Sequence, residues 1–305
     1  MTPEERIATS AVVLSVSGGK DSTATGLLLR ERGIQFRAVH MDTGWEHQAT
    51  ERYVRDDLPK ALGVEVEIIQ GRHGGMENLI RSKGMFPSRV IRFCTQELKV
   101  FPMRDYLARL IDSGHDPINA VGIRSGESAA RSRLTEWDES DAIGCPVWRP
   151  IIAWSLDDVV AIHKRHGVQP NPLYLLGATR VGCWPCIFAR KDEIRLIADS
   201  DPGRISRIDA LEAEVAIAAL ERSKRNGTEY KGDPAWFQNP TSRTDPVTGV
   251  RAGNCWPIRD AAAWSRTARG GKQLDLFAPP LAEEGCARWG MCETAAPDVP
   301  ETRTS

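Results

Sequence analysis

Two sets of residues have types and spacings suited to chemistry. The first is Ser17-Gly18-Gly19-Lys20-Asp21-Ser22, which follows an apolar run at 11–16 and precedes a helix-forming run at 23–32. A strand, a glycine turn carrying one lysine and a helix N-terminus together make an anion site. Gly18 and Gly19 let the backbone approach a ligand in conformations that a Cβ forbids. Backbone N–H groups and the helix dipole favour negative charge there, and Lys20 adds a full positive one, so phosphate is the expected guest. The motif is not G-x-x-x-x-G-K-[ST]: Asp21 follows the lysine in place of a hydroxyl residue, and the four spacers are missing. The second set is the cysteines, seven in all. Cys183-Trp184-Pro185-Cys186 is a C-x-x-C knuckle, the kind used by zinc, iron–sulfur clusters or redox chemistry, and it needs further ligands. Cys94 lies upstream, Cys286 and Cys292 lie near the C-terminus, and Cys145 and Cys255 remain.

The elements that must position these residues read as follows. Gly33 stops the first helix. A second strand at 35–40 leads into Asp42-Thr43-Gly44, which puts Asp42 in the crevice where open α/β sheets bind nucleotides. There it suits a ribose hydroxyl or a metal, or simply closes a turn. Residues 48–62 read as a helix that Gly63 ends and whose last turn Pro59 should disturb, and 64–69 alternate as a strand. Strand, helix, strand, helix, strand argues for a doubly wound, mostly parallel α/β sheet with flanking helices. Residues 71–92 gather Arg72, His73, Arg81, Lys83, Arg89 and Arg92 with weak periodicity, either a basic loop that receives an anionic substrate or a solvated surface. Thr95 is the expected N-cap of a helix over 96–111, which leaves Cys94 just outside a helix N-terminus, where a thiolate is stabilised. A buried strand at 120–123 delivers Arg124, whose guanidinium fork matches phosphate or sulfate; a surface ion pair is the alternative. A short strand at 147–152 follows. Ser155 caps a helix through His166, with Asp158 in the capping-box position. His163 and His166 have no further donor at ligand spacing and read as surface residues.

At 305 residues, the chain is long enough for a core without disulfides. Its 40 basic and 41 acidic residues exclude a globally basic nucleic-acid coat. The start of the chain lacks a signal-peptide core, and no apolar run approaches the roughly 20 residues that span a bilayer. A soluble, cytoplasmic protein with no membrane partner is the expectation, and in a reducing compartment thiols serve metals or catalysis more readily than disulfides. Three regions follow: an α/β domain over 9–200, a helical and irregular extension with cysteines and tryptophans over 201–294, and a disordered tail over 295–305. Within the extension, Gln273-Leu274-Asp275-Leu276-Phe277 sits between glycines and prolines as a docking peptide or a core anchor for the tail. It resembles the bacterial sliding-clamp binding peptide, which would make the clamp and DNA its partners.

The loop resembles the pyrophosphate loop of the ATP pyrophosphatases, and over about 9–200 the chain resembles the phosphoadenosine phosphosulfate reductase family. The marks are Ser17 to Ser22; Asp42-Thr43-Gly44; Cys94 with Leu98-Lys99-Val100 and Pro102; Gly122-Ile123-Arg124 with Arg131; Asn171-Pro172-Leu173-Tyr174; and Gly182-Cys183 with Cys186. The resemblance implies an adenine nucleotide alpha-hydrolase-like fold. It implies a nucleotide held by Ser17, Gly18, Gly19, Lys20, Asp21, Ser22, Asp42, Gly44, Arg124 and Arg131. Lys20, Asp21 and Arg124 would act on its phosphates with Mg²⁺. It also implies a [4Fe–4S] cluster on Cys94, Cys183, Cys186 and Cys292, with Cys286 as alternative fourth ligand and Zn²⁺ as alternative metal. Thr95 stands where a second paired cysteine would be. Likeness to DNA phosphorothioation enzymes points to sulfur transfer, with a sulfur-donor protein or thioredoxin-like reductant as partner. The complete Lys20-Asp21 pair favours cleavage of ATP to AMP and pyrophosphate. The alternatives are a sulfonucleotide reductase that makes sulfite and a non-catalytic nucleotide-binding protein with structural zinc.

Overall fold

A computed structural model describes residues 3–71, 73–139, 144–230, 232–238 and 255–268. Cys286, Cys292, the 273–277 peptide, Arg72 and the 295–305 tail lie outside the described residues. In chain order the elements are α1 (Pro3–Thr9), β1 (Ala11–Val16), α2 (Lys20–Glu31), β2 (Phe36–Asp42), α3 (Gln48–Arg52), α4 (Leu58–Leu62), β3 (Val66–Gln70), α5 (Met76–Lys83), α6 (Phe93–Thr95), α7 (Phe101–Asp112), β4 (Pro117–Val121), β5 (Trp137–Asp138), β6 (Val147–Trp148), α8 (Leu156–Arg165), α9 (Pro172–Leu175), α10 (Lys191–Ser200), α11 (Pro202–Asn226), β7 (Phe237–Gln238), β8 (Cys255–Trp256) and α12 (Ile258–Ser265).

Six strands form one sheet in the order β3-β2-β1-β4-β6-β5, parallel except for the edge pair β5–β6. The apolar runs at β1 and β4 are nearly continuous because both sheet faces are covered. One face packs Leu14, Val16, Leu27 and Ile162 beneath α2 and α8. The other packs Val13, Val39, Met103 and Leu107 beneath α7. The chain order reverses between β1 and β4, so the loops after these two strands meet at the switch point where such sheets bind ligands. A third apolar cluster lies outside the sheet. It joins Trp45, Cys94, Leu98, Leu173 and Trp184 to Ile208 of α11, to Trp236 and to Ile258 of α12.

Several expectations are corrected. Pro59 does not fray a helix end. It sits in the first turn of α4, where its missing N–H costs nothing, and a π-helical turn at Tyr53–Asp57 joins α3 to α4. The 71–92 segment contains α5, hidden from a sequence reading because Gly75 starts it without a side-chain cap. Its cations are largely committed: Arg81 to Glu77 and Glu214, Lys83 and His73 to Glu97. The helix that carries Cys94 starts at Phe93 with Arg92 as N-cap, so Thr95 is helical rather than a cap. A second π-helical turn, Gln96–Val100, then lets Pro102 fall in the first turn of α7. Strand β6 is two residues long, and turns follow it where more strand was expected. Among the described residues no helix is long and apolar enough to cross a membrane.

Candidate active site

The loop after β1 is built by its own side chains. Gly18 has φ +70°, and a Cβ there would meet Val54 at 2.9 Å, so only glycine fits. Ser22 Oγ accepts from Ser17 N at 3.2 Å and donates to Gly19 O at 3.0 Å; Gly19 N donates to Ser17 Oγ at 3.3 Å. Lys20 N donates to the Tyr174 hydroxyl at 3.0 Å, and the Lys20 ammonium lies 5.4 Å from that ring. The loop amides are therefore engaged by hydroxyl groups that a phosphate oxygen must share or replace. Asn171, N-cap of α9, also grips the loop: its Nδ2 donates to Gly18 O and Thr50 Oγ1, each at 3.2 Å. From beneath, His163 Nε2 meets Lys20 O at 3.0 Å, and burial pushes its pKa down, which keeps the ring neutral.

The charges converge on Asp21. Lys20 Nζ lies 2.9 Å from Oδ2, and Arg124 Nε lies 2.5 Å from Oδ1. One carboxylate between two cations leaves a net positive charge at the helix N-terminus, which suits a polyanion. Arg124 arrives from the end of β4 because Gly122 lets the chain after that strand lie against the first turn of α2: a Cβ there would lie 2.6 Å from Asp21 O. Asp42 and Gly44 form their own turn, with Gly44 N donating to Asp42 Oδ1 at 2.8 Å and Gln70 Nε2 to Oδ2 at 3.3 Å. Arg131 pairs with Glu127.

Beside the loop a cavity of about 270 Å³ opens between the sheet and α7, lined by Ser15, Ser17, Asn119, Met103, Lys99 and Gly182 among others. Lys99 connects it to the thiols. The Cys183 sulfur, ahead of Glu46 and Cys186, raises the Lys99 ammonium against the cost of burial. Burial pushes the Cys94 and Cys183 thiols up, and Lys99 pulls Cys183 back down. The helix position of Cys94 thus does not yield the stabilised thiolate expected from the sequence. Glu46 is fixed by Thr43 Oγ1 at 2.6 Å and by the N–H groups of Thr43 and Trp45. Residue 183 is held by an antiparallel bridge to Glu46, and Trp184 N donates to Trp45 O at 2.8 Å. Cys94, Cys183 and Cys186 share one apolar cluster. Even so, among the described residues no group of three or more His, Cys, Asp or Glu side chains could hold a metal ion. Cys292 and Cys286, the expected fourth ligands of a cluster or zinc site, lie outside the described residues.

Residues 11–189 match the phosphoadenosine phosphosulfate reductase domain, more than half of the chain. The chain belongs to this family. An uncharacterized 37.8 kDa protein of Escherichia phage 186 is 34% identical over 92% of this chain and 96% of its own length. An adenosine 5'-phosphosulfate reductase of Burkholderia cepacia is 28% identical over 57% of this chain and 66% of its length. A probable tRNA sulfurtransferase of Clostridium kluyveri is 23% identical over 53% and 42%, respectively. Among solved structures, the phosphoadenylyl-sulfate reductase of Candida auris aligns over 59% of this chain and 85% of its own, with TM-score 0.45 and 18% identity.

Within this reductase-family domain, Lys20, Asp21 and Arg124 form one group, and Cys94, Cys183 and Cys186 approach one another. Asp42, Gly44 and Arg131 are held in local contacts of their own. Sequence reasoning missed His163, although Val159, Ile162 and His163 share one buried helix face at spacings of three and four. Glu46 carried no motif at all. Arg89 and Arg92, the cations of 71–92 without an ion pair among the described residues, lie over Phe188 at 5.9 and 5.1 Å, beside the knuckle.

Proposed function

We propose that this chain is a nucleotide-dependent enzyme of sulfur chemistry that cleaves ATP between its α and β phosphates and transfers AMP to an acceptor. The observation that carries the reading is the Lys20–Asp21–Arg124 group at the switch point. A polyanion of three phosphates needs cations at its β and γ groups, and Asp21 fixes two of them in place before it arrives. An acceptor oxygen attacks the α-phosphorus, the bond to the β-phosphate breaks, and pyrophosphate leaves with the bonding electrons. A sulfur nucleophile from a donor then attacks the acceptor atom that bears the adenylated oxygen, and AMP leaves with that oxygen and the bonding electrons; the tRNA sulfurtransferase relative supports nucleic acid as the acceptor class. Asp21 commits both oxygens to cations, so magnesium would ride on the phosphates rather than in a protein-built cage.

A second reading, reduction of a sulfonucleotide to sulfite, is favoured by the thiols gathered around Lys99 and by the adenosine 5'-phosphosulfate reductase relative. Pyrophosphate release from ATP separates the two. Lys20→Ala should lower that release by roughly 10²–10³-fold, the scale of losing one preorganised charge at a transition state, with an unchanged circular dichroism spectrum. Release that survives the substitution overturns the loop's role. Thioredoxin-dependent sulfite formation without pyrophosphate release replaces the first reading with the second.

A further inference from the structure

Two buried aromatic residues, Phe86 and Phe93, staple a short turn to the apolar cluster outside the sheet. Between them the turn is held by Ser88. Its N donates to Ile91 O at 3.0 Å, and its Oγ accepts from Val90 N at 3.3 Å and from Ile91 N at 3.0 Å. The turn presents apolar side chains to solvent. Val90 is 87% exposed, the most of any large hydrophobic side chain among the described residues, and Ile91 is 50% exposed. Arg89 and Arg92 flank them, both exposed. Their guanidinium carbons lie 5.9 and 5.1 Å from the ring centre of Phe188, and neither has a carboxylate partner among the described residues. Glu97 is taken by Lys83 and His73, and Glu193 by Arg180.

Stacking on a ring fixes each guanidinium plane and leaves its N–H edges free for an outside anion. On the reading above, the phosphates of the nucleotide lie with Lys20 and Arg124, and neither Arg89 nor Arg92 lines the cavity beside the loop. The platform stands instead at the thiols: Phe188 follows Cys186 by two residues, and Arg92 precedes Cys94 by two. An anion held here lies where sulfur would be delivered. Two forked cations with bare aliphatic side chains between them match a strand of alternating phosphates and base faces. A free phosphate would leave the aliphatic tip unused. With a net charge of −1, the chain has no overall field that holds a polyanion, so such a partner needs a local platform of this kind.

We propose that the turn from Arg89 to Arg92, with Phe188, is the docking surface for a single-stranded stretch of nucleic acid. Phosphodiesters lie on the two guanidinium groups and a base packs against Val90 and Ile91. The inference rests on the nucleic-acid acceptor of the reading above and adds the surface that presents it to the thiols.

The test is fluorescence anisotropy of the full chain, without nucleotide, on a fluorescein-labelled single-stranded oligonucleotide made once as RNA and once as DNA. Arg89→Ala with Arg92→Ala should weaken binding roughly tenfold, the scale of a charge-assisted hydrogen bond. The slope of log affinity on log salt should become shallower by roughly 1.4, about 0.7 for each lost phosphate contact. Arg89→Lys with Arg92→Lys should keep the wild-type slope. Val90→Ser should weaken binding roughly threefold with that slope unchanged, for part of a valine's burial. The wild-type protein should prefer the single strand to its duplex. Binding of RNA, DNA or both supports the surface, and the tighter of the two identifies the polymer. An alanine variant with wild-type affinity and slope overturns the assignment, as does duplex bound as tightly as single strand. Should the alanine variant fail to fold, the wild-type slope decides: one shallower than about 1.4 leaves no room for two phosphate contacts. Absence of oligonucleotide binding by the wild-type protein also overturns it, in favour of an acidic face of a sulfur-donor protein. Pyrophosphate release judges the ATP reading separately, so its loss with oligonucleotide binding intact sinks that reading alone.

Discussion

The phosphate loop and the thiol region lie side by side but are made differently. Six consecutive residues make the loop, and the hydroxyls of Ser17 and Ser22 close it from within. The thiol region is assembled at long range: Cys94 from α6, Lys99 from a π-helical turn, Glu46 from the turn after β2, and Cys183 and Cys186 from a segment without regular structure. A contiguous site depends on local geometry, so it should be broken by small backbone intrusions. A dispersed site depends on the burial of charges against one another, so it should be broken by removing one of them.

The largest expected effect follows from the first half of that contrast. Gly122→Ala puts a methyl group 2.6 Å from Asp21 O and from Ser22 N. Neither atom belongs to a flexible side chain, so the loss should approach about 3 kcal/mol, the upper end for overpacking, with nucleotide binding lost alongside. Chemical denaturation with and without ATP measures both. A variant as stable as wild type with intact binding would show that the loop tolerates intrusion. The second half predicts that Lys99→Met costs about 2 kcal/mol, less than the full penalty for breaking a buried pair because the ammonium also reaches the cavity. The loss arises because the buried ammonium's attraction to Cys183 and, behind it, to the buried Glu46 is removed. Lys99→Met combined with Glu46→Gln should recover part of it, and a double variant as unstable as the sum of the singles would break the charge-pair account.

The same contrast explains what the sequence made legible. The strand runs of the parallel sheet, the helix stops at Gly33 and Gly63 and the Ser155 capping box each depend on residues within a few positions of one another. All four features are present in the structure. The strand–turn–helix around Lys20 was legible for the same reason. The two π-helical turns were not, because a turn widens in response to packing from elsewhere, as with Leu98 against Gly71, whose Cβ would lie 2.7 Å from the leucine. Glu46 and Lys99 became site residues only through folding. His163 lay between these cases: its buried spacing was visible, but its partner, the carbonyl of Lys20, was 143 residues away.

One tether joins the two regions. Tyr174 holds Lys20 N through its hydroxyl, and the segment it starts runs on to Cys183. Tyr174→Phe removes the hydrogen bond that Lys20 N donates and should cost about 1 kcal/mol in nucleotide affinity, close to fivefold. Fold stability should hardly change, since the ring stays in place. A variant with wild-type affinity would mean that phosphate displaces the hydroxyl outright.

The smallest effect tests whether long-range assembly leaves a charge that can titrate. The loop's carboxylate, Asp21, is paired twice. Glu212 of α11 instead accepts from Trp236 N at 2.7 Å and Ile258 N at 3.0 Å, and so ties two distant segments to the helix. Burial pushes its pKa from 4.5 up to about 7, the two N–H donors lower it less than burial raises it, and Asp209 and Asp260 add to the rise. Arg259 is engaged with Asp209 at 2.8 Å. Between pH 4.5 and about 7 the folded chain holds a proton that the unfolded chain has released. The stability present below that window is therefore lost as pH rises through it. Thermal melts read by tryptophan fluorescence, which reports the stack of Trp45 on Trp236 at 4.8 Å, should show wild type losing about 1 kcal/mol relative to Glu212→Gln between pH 5 and 8, after solvent screening. Parallel curves would mean that the two backbone donors hold the carboxylate ionised throughout. The dispersed region would then be as fully paired as the loop.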